Sequence, residues 1–469
     1  MGYKLIIMLI VIWLNLIAVT LMCNAAARPN FLLIISDDLR TALGCYGDVN
    51  AHTPNIDALA KDSIVFTEAF AQNELGSLLF LLLFLLFLLL PTMICPVDVP
   101  TMPNQTLPDI EILQQARKFI REHKEDSNPF FLAVGFQKPH IPLKYPERYL
   151  KYHPIEKFEI PKPYLWPKNV SNVAYNPWTD LRWRKDVAKL RLKFPWDKIP
   201  ERFGKLIIQS YYAAVSYVDN MIGKLIHQLR ASRIRENTII ILTSDHGWAL
   251  GEHATWSKYS NFDVAVHVPL IISIPALTYR GSSSKQRICQ VTDAIVELVD
   301  IFPTIADLAG IPIPICQVNN TGHQSRSRNA FTYQEEPTDP CSEGISLVPL
   351  IKDTLKCQSV SWKKAAFSQY PRPGIQPTLH PNSDKPHLRE TKIMGYTLKT
   401  NNYRYTAWVP FAHETCKPNW DIIIAEELYD HRTDRRESFN IAFLPKMIST
   451  KKYLRSLLRN GWRNALPTY

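Results

Sequence analysis

NTIIILTSDHG, from Asn237 to Gly247, is the stretch on which the fold turns. Its apolar run is too short for a helix buried along its whole length, and it ends abruptly in Asp-His-Gly. Three other stretches share this grammar. PNFLLIISDD (Pro29 to Asp38) ends in two acids, PFFLAVGFQKPH (Pro129 to His140) ends in Lys-Pro-His, and HVPLIISIP (His267 to Pro275) closes on Pro. Such runs predict strands buried on both faces, as in a parallel sheet covered by helices. Apolar residues at Ile110, Leu113, Ala116 and Ile120 predict a helix over Leu107 to Lys124. The same spacing predicts helices over Phe203 to Leu229 and Ile295 to Leu308. Strand and helix in alternation predict an α/β domain with a large, mostly parallel sheet.

Ligands of open α/β sheets gather outside the carboxyl ends of the strands. Asp37, Asp38, His140, Asp245 and His246 all stand at such ends. Two adjacent carboxylates repel unless a cation neutralises them. Three carboxylates and an imidazole at one edge therefore point to a divalent metal. The oxygen-rich set suits calcium or magnesium, and the His argues for a softer ion such as zinc. The competing reading is that one acid of the Asp37-Asp38 pair caps the following helix.

The second half reads differently. Ile315 to Trp362 is polar and Pro-rich and predicts irregular surface. KIMGYTLKTNNYRYTAWV (Lys392 to Val409) alternates about an Asn-Asn pair and predicts a hairpin. The predicted division is a signal peptide over 1–27, an α/β domain over 28–361 and a smaller C-terminal antiparallel α+β domain over 362–469. The signal reading rests on Lys4, the apolar Leu5 to Met22 and the small residues Ala25-Ala26-Ala27. An uncleaved anchor is the alternative, since the run approaches the roughly 20 residues of a membrane span. Secretory passage permits disulfides, with Cys316 and Cys341 a plausible local pair. Asn104, Asn169 and Asn319 sit in glycosylation sequons.

A net charge of +11 over 469 residues favours polyanionic partners. No Gly-rich phosphate loop and no basic stretch interleaved with aromatics stands out, so nucleic acid is not expected as a partner, nor is a membrane after signal cleavage.

PNFLLIISDDLRTALGCYG, TPNIDALA, FLAVGFQKPHIP, YNPWTD, TSDHGWALGEH, WSKYSNFDVAVHVPLI and SQYPRP together resemble the sulfatase family. Within it they are most similar to the enzymes that remove sulfate from uronic acids. The resemblance implies the alkaline-phosphatase-like fold and a sulfuric ester hydrolase acting on heparan or dermatan sulfate in the lysosome or outside the cell. It implies one calcium ion on Asp37, Asp38, Asp245 and His246. Lys258 would neutralise sulfate oxygens, and His140 would hydrogen-bond the sulfate or protonate the leaving alcohol. Each has a plainer reading, Lys258 as a solvated surface charge and His140 as a core histidine. Trp248 and Tyr259 beside these motifs are candidates to shape a sugar pocket, or to be core.

One part of the family pattern is absent. Sulfatases carry C-x-P-S-R or C-x-A-x-R, whose Cys is converted to formylglycine by a dedicated enzyme. One hydroxyl of the hydrated aldehyde attacks sulfur and the other expels sulfate. The motif belongs directly after AFAQ (Ala69 to Gln72), and no such motif occurs anywhere in this chain. Residues 73–94 stand there instead, with only Leu and Phe from Leu78 to Leu90. That run has 13 residues and no helical or strand periodicity, and falls short of a span of roughly 20. A misjoined gene segment, a truncated paralogue and a membrane-inserting element each account for it. The expected activities are thus a sulfatase lacking its nucleophile, a secreted pseudoenzyme that binds sulfated glycans, or a phosphatase or phosphodiesterase using Thr67 or Ser77. Without the motif, the formylglycine-generating enzyme has no substrate here.

Overall fold

The computed structural model describes residues 28–467, except 73–91, 177, 179–180, 276, 279–288, 314–340 and 359. The signal reading, most of the 73–94 segment, Ser77, Cys316 and Asn319 therefore lie outside the described residues.

The four apolar runs are strands of one sheet. They are β1 (Asn30–Ser36), β3 (Phe131–Phe136), β4 (Thr238–Ser244) and β5 (His267–Ser273). β2 (Ile64–Phe70) joins them, with two short strands, β6 (Val291–Thr292) and β7 (Val296–Glu297), beside it. The spatial order is β6-β2-β5-β4-β1-β3, and β7 also pairs with β2. β1 runs parallel to β3 and β4, but β5 runs antiparallel to both β2 and β4. Burial on both faces does not encode direction, which is why HVPLIISIP looks like its parallel neighbours in sequence. Every residue of β4 is buried.

Helices cover both faces. α1 (Pro54–Ala60), α2 (Pro108–Glu122) and the 31-residue α3 (Glu201–Ala231) pack on one core, where Ile207, Tyr211, Val218 and Leu225 meet Leu32, Ile34 and Leu242. α4 (Ile301–Ala309) and α5 (Val348–Leu355) close the other face against Ile239, Ile241 and Ile272. Two sequence expectations are corrected here. Ile295–Leu308 is not one helix, because Val296–Glu297 pairs with β2 and Glu297 and Asp300 form a capping box before α4 begins. The supposedly irregular surface before Trp362 contains α5, whose Leu350 and Ile351 are buried.

The C-terminal sheet comprises β8 (Ala366–Arg372), β9 (Ile393–Lys399), β10 (Tyr403–Ala412), β11 (Lys417–Pro418) and β12 (Ala425–Asp430), all antiparallel. The Asn-Asn turn joins β9 to β10 with Lys399 opposite Arg404. α6 (Ile448–Asn460) packs Leu454 and Leu458 beneath it. Cys289 bonds Cys357, a pair the sequence reading did not foresee. Cys341 is also disulfide-bonded. Asn104 and Asn169 are exposed.

Lys363, just before β8, holds the two parts together. Its ammonium lies 2.7 Å from both Glu297 and Asp300, and all three residues are buried. Removing one member of a buried ion cluster strands the others. Lys363→Met is expected to cost about 3–5 kcal/mol of stability. Urea unfolding monitored by fluorescence checks this, and an unchanged midpoint would contradict it.

Candidate active site

The parallel register of β1 and β4 pairs Ser36 with Ser244, so the residues that follow each strand emerge side by side. Asp37 and Asp38 leave β1, Asp245 and His246 leave β4, and the loop carrying Lys138 and His140 leaves β3 on the other side of β1. Asp38 adopts φ 65°, a left-handed conformation open to Asp at modest cost, which turns its carboxylate inward. Its amide donates to Asp245 Oδ1 at 3.1 Å, and Tyr211 on α3 donates to its carbonyl at 2.7 Å. Leu39 N donates to Ser244 Oγ at 2.9 Å, which ties the two strand exits together. Gly247 lets the chain turn sharply, since a Cβ there would lie 2.2 Å from the Val264 carbonyl.

The side chains converge as the sequence pattern suggests. Asp38 is wholly buried, with Lys258 Nζ 2.8 Å and His246 Nδ1 3.4 Å from its Oδ1, and His140 Nε2 3.9 Å from its Oδ2. His246 Nε2 lies 3.2 Å from Asp245 Oδ2. Neither acid of the Asp37-Asp38 pair caps a helix; both face the site. Lys258 is buried (3% exposed) rather than a solvated surface charge.

Electrostatics at this edge are unbalanced. Burial, then the nearby Asp38 and Asp245 carboxylates, push Asp37 up to about 9. Burial also opposes ionisation of Asp38, but Lys258, His140 and His246 outweigh it and bring the pKa down to about 2. Lys258 is raised, because Asp38 and Asp37 overcome its desolvation. Burial brings His140 down to about 3 and lowers His246 as well. Asp37 Oδ1, Asp38 Oδ2 and His246 Nε2 are buried atoms with no hydrogen-bond partner. Asp37, Asp38 and His140, and likewise Asp37, Asp245 and His246, bring their ligand atoms within 4.8 Å of one another. Buried acceptors without hydrogen-bond partners, in two groups that share Asp37, fit a cation.

Several supporting residues escaped sequence reasoning. Lys138, buried in the Lys-Pro-His loop, donates from Nζ to the carbonyls of His140 and Pro142. Ser36 Oγ donates to the Lys138 carbonyl at 2.6 Å, and Gln137 N donates to Asp109 Oδ1 at 2.6 Å. His140 is thus held by its loop while its ring stays about one-third exposed. Lys138 lay within a motif already singled out. Tyr211 and Ser244 carried no signal, since each reads as a core position of its element. Trp248 does not shape a sugar pocket: it is 1% exposed and packed in the main core, with its carbonyl bound by Arg40. Tyr259 is buried beside Tyr370, with Lys385 Nζ 5.3 Å from its ring centre. Thr67 lies within β2 rather than at its exit, and its hydroxyl donates to Thr292 O at 3.1 Å.

β2 is parallel to β4 through their shared antiparallel neighbour, so its exit opens on the same edge. Ser368 Oγ donates to Ala71 O at 2.7 Å and Gln369 N to Gln72 O at 3.0 Å. The C-terminal sheet thereby pins the end of AFAQ at that edge.

Known proteins resemble this chain in sequence and in fold. The family model "Sulfatase" matches residues 94–311. Iduronate 2-sulfatase of Mus musculus is 34% identical over 524 aligned positions, covering 89% of this chain and 91% of that protein. The Homo sapiens protein of the same name is 34% identical, covering 88% and 90%. An alignment of 524 positions exceeds the 469 residues of this chain, so it opens gaps within it. A protein solved in complex with its substrate D-glucosamine-2-N,6-O-disulfate shares the fold, with a TM-score of 0.63 at 20% identity over 93% of this chain and 98% of that one.

Lys138→Met removes both hydrogen bonds by which this side chain holds the His140 loop. The amides of His140, Ile141 and Leu143 are expected to exchange with deuterium at least about tenfold faster, the equivalent of about 1.4 kcal/mol of lost local protection. Unchanged exchange would show that the loop is held by other contacts.

Proposed function

Because the chain belongs to the sulfatase family, a family of sulfuric ester hydrolases, we propose that its site receives the 2-O-sulfate of iduronate in heparan or dermatan sulfate, and that this polypeptide holds the ester without cleaving it. The observation that carries the reading is the cluster of orphaned acid and imidazole atoms beside buried Lys258, at the edge where Gln72 leaves the sheet. Sulfate-ester hydrolysis is the chemistry of the family. The choice of iduronate comes from the two relatives that bear that name.

Asp37, Asp38, Asp245 and His246 would hold one calcium ion, with His246 the unusual donor for a hard cation. Bound there, the ion would draw negative charge off the sulfate oxygens that face it. Lys258 supplies a second positive charge from within a dry site, where it acts more strongly than in water. His140, its pKa lowered by desolvation and by the nearby Lys258 and Lys138 against the pull of Asp38, enters as a neutral, hydrogen-bonding imidazole. It becomes a proton donor only when an anion beside it raises that value. Lys138 fixes the loop that presents it.

Hydrolysis needs a nucleophile, and residues 73–91, which follow Gln72, contain no Cys. Binding groups without a nucleophile favour a glycan-binding pseudoenzyme. The exposed sequons at Asn104 and Asn169 and the Cys289–Cys357 bond favour passage through an oxidising secretory compartment, ending in the lysosome or outside the cell.

Two outcomes are expected. Calorimetry with calcium gives a saturable heat that Asp37→Ala/Asp38→Ala abolishes; equal heats in both proteins would remove the metal reading. A fluorogenic iduronate 2-sulfate is turned over no faster by this chain than by its Lys258→Ala variant. Turnover above that control would overturn the claim that the ester is held uncleaved.

A further inference from the structure

Residues 181–198, LRWRKDVAKLRLKFPWDK, correct the impression that no basic stretch is interleaved with aromatics. They hold seven Lys or Arg against two Asp, a local excess that accounts for nearly half of the net charge of the whole chain. Both acids are already engaged with backbone amides: Asp186 accepts from Met93 N and Ile94 N, and Asp197 from Lys193 N. Lys185, Lys189, Arg191 and Lys193 are exposed, and none makes an ion pair with a described residue. Trp183 and Trp196 are 58% and 54% exposed, large apolar surfaces left in water. Trp196 is held on one face by Tyr175, stacked at 5.1 Å and 4° between ring planes. Its other face is open to a ligand.

The segment is tied to the site through buried contacts. Tyr259 follows Lys258, and Lys385 lies over its ring. Asp384, the neighbour of Lys385, lies 4.0 Å from Arg182 Nη1. Asn176 Nδ2 donates to Tyr370 OH at 2.7 Å, which docks the chain ahead of the basic segment on β8. The segment is thus anchored on the Lys258 side of the site.

We propose that residues 183–196 form an exosite for the body of a sulfated glycan chain, with Lys185, Lys189, Arg191 and Lys193 pairing with sulfates and carboxylates and Trp183 and Trp196 packing on sugar rings. The proposal rests on the reading of the site as one for a sulfated glycan. A ligand that carries charge along its length suits a run of unpaired cations, and the C–H faces of pyranose rings suit exposed indoles. Sulfated glycan is favoured over other polyanions because the segment is anchored beside the site read as one for a sulfate ester. Each cation adds a modest, salt-screened increment, so only a ligand long enough to touch several gains appreciably.

The test uses the full chain, a heparin dodecasaccharide and a sulfated disaccharide, with binding followed at several salt concentrations. K185E/K189E/R191E/K193E is expected to weaken dodecasaccharide binding at least about tenfold and flatten its salt dependence, because fewer counterions are released. Disaccharide binding is expected to stay unchanged in that variant, which also shows that it folds, and to be lost in Lys258→Ala. Equal dodecasaccharide affinity in the quadruple variant and the parent would overturn the exosite. So would a single-stranded DNA 12-mer that binds as tightly as the dodecasaccharide, since the surface would then be a nucleic-acid or general polyanion patch. A chain that binds the dodecasaccharide through the four cations but never the disaccharide keeps the exosite and removes the reading of the sulfate site.

Discussion

The parallel register of β1 on β4, from Asn30 opposite Thr238 to Ser36 opposite Ser244, is the constraint on which the site depends. A slip of one residue would turn every side chain of a strand to the opposite face. It would also separate Asp38 from Asp245 and break the bond from Leu39 N to Ser244 Oγ. Close packing holds the register, because side chains on both faces of these strands interlock with the covering helices, and a slip would force all of them to repack. The acids can therefore be crowded together only because the strands beneath them cannot move.

Crowding creates a charge problem that the protein's own cations solve in part. Lys258 neutralises Asp38, and Asp37 is left with a raised pKa and an oxygen without a partner. Part of the C-terminal sheet meets similar demands by pairing: Arg404 pairs with both Glu437 and Glu427, and Lys399 with Glu68, at buried positions. Those charges are paired within the chain, whereas the acids at the sheet edge are left with acceptors to spare, as a ligand site requires.

The strand that precedes residues 73–91, β2, ends at Phe70, and the described residues of both cores and the register of β1 with β4 and β3 come from other parts of the chain. The β2 exit itself is held from the C-terminal side by Ser368 and Gln369, and by the Glu68–Lys399 pair. Asp37, Asp38, His140, Asp245, His246 and Lys258 all lie outside residues 73–91.

Much of this was legible in one dimension. The short apolar runs, their terminal acids and the helical spacing of α2 and α3 follow from local periodicity and burial, which a sequence carries directly. So did the convergence of Asp37, Asp38, His140, Asp245 and His246, because strand ends of a parallel sheet share an edge. The absent Cys motif is a property of the sequence alone. Only tertiary structure decided that β5 runs antiparallel, since a strand buried on both faces has the same composition in either direction. It also decided that Trp248 is core while Trp183 and Trp196 are surface, because an indole looks alike in sequence wherever it packs. The pairing of Cys289 with Cys357, the grip of Tyr211 and Ser244 on the strand exits and the burial of Lys258 against Asp38 belong to the same class. Each joins residues far apart along the chain, and such contacts are set by packing, not by any local pattern.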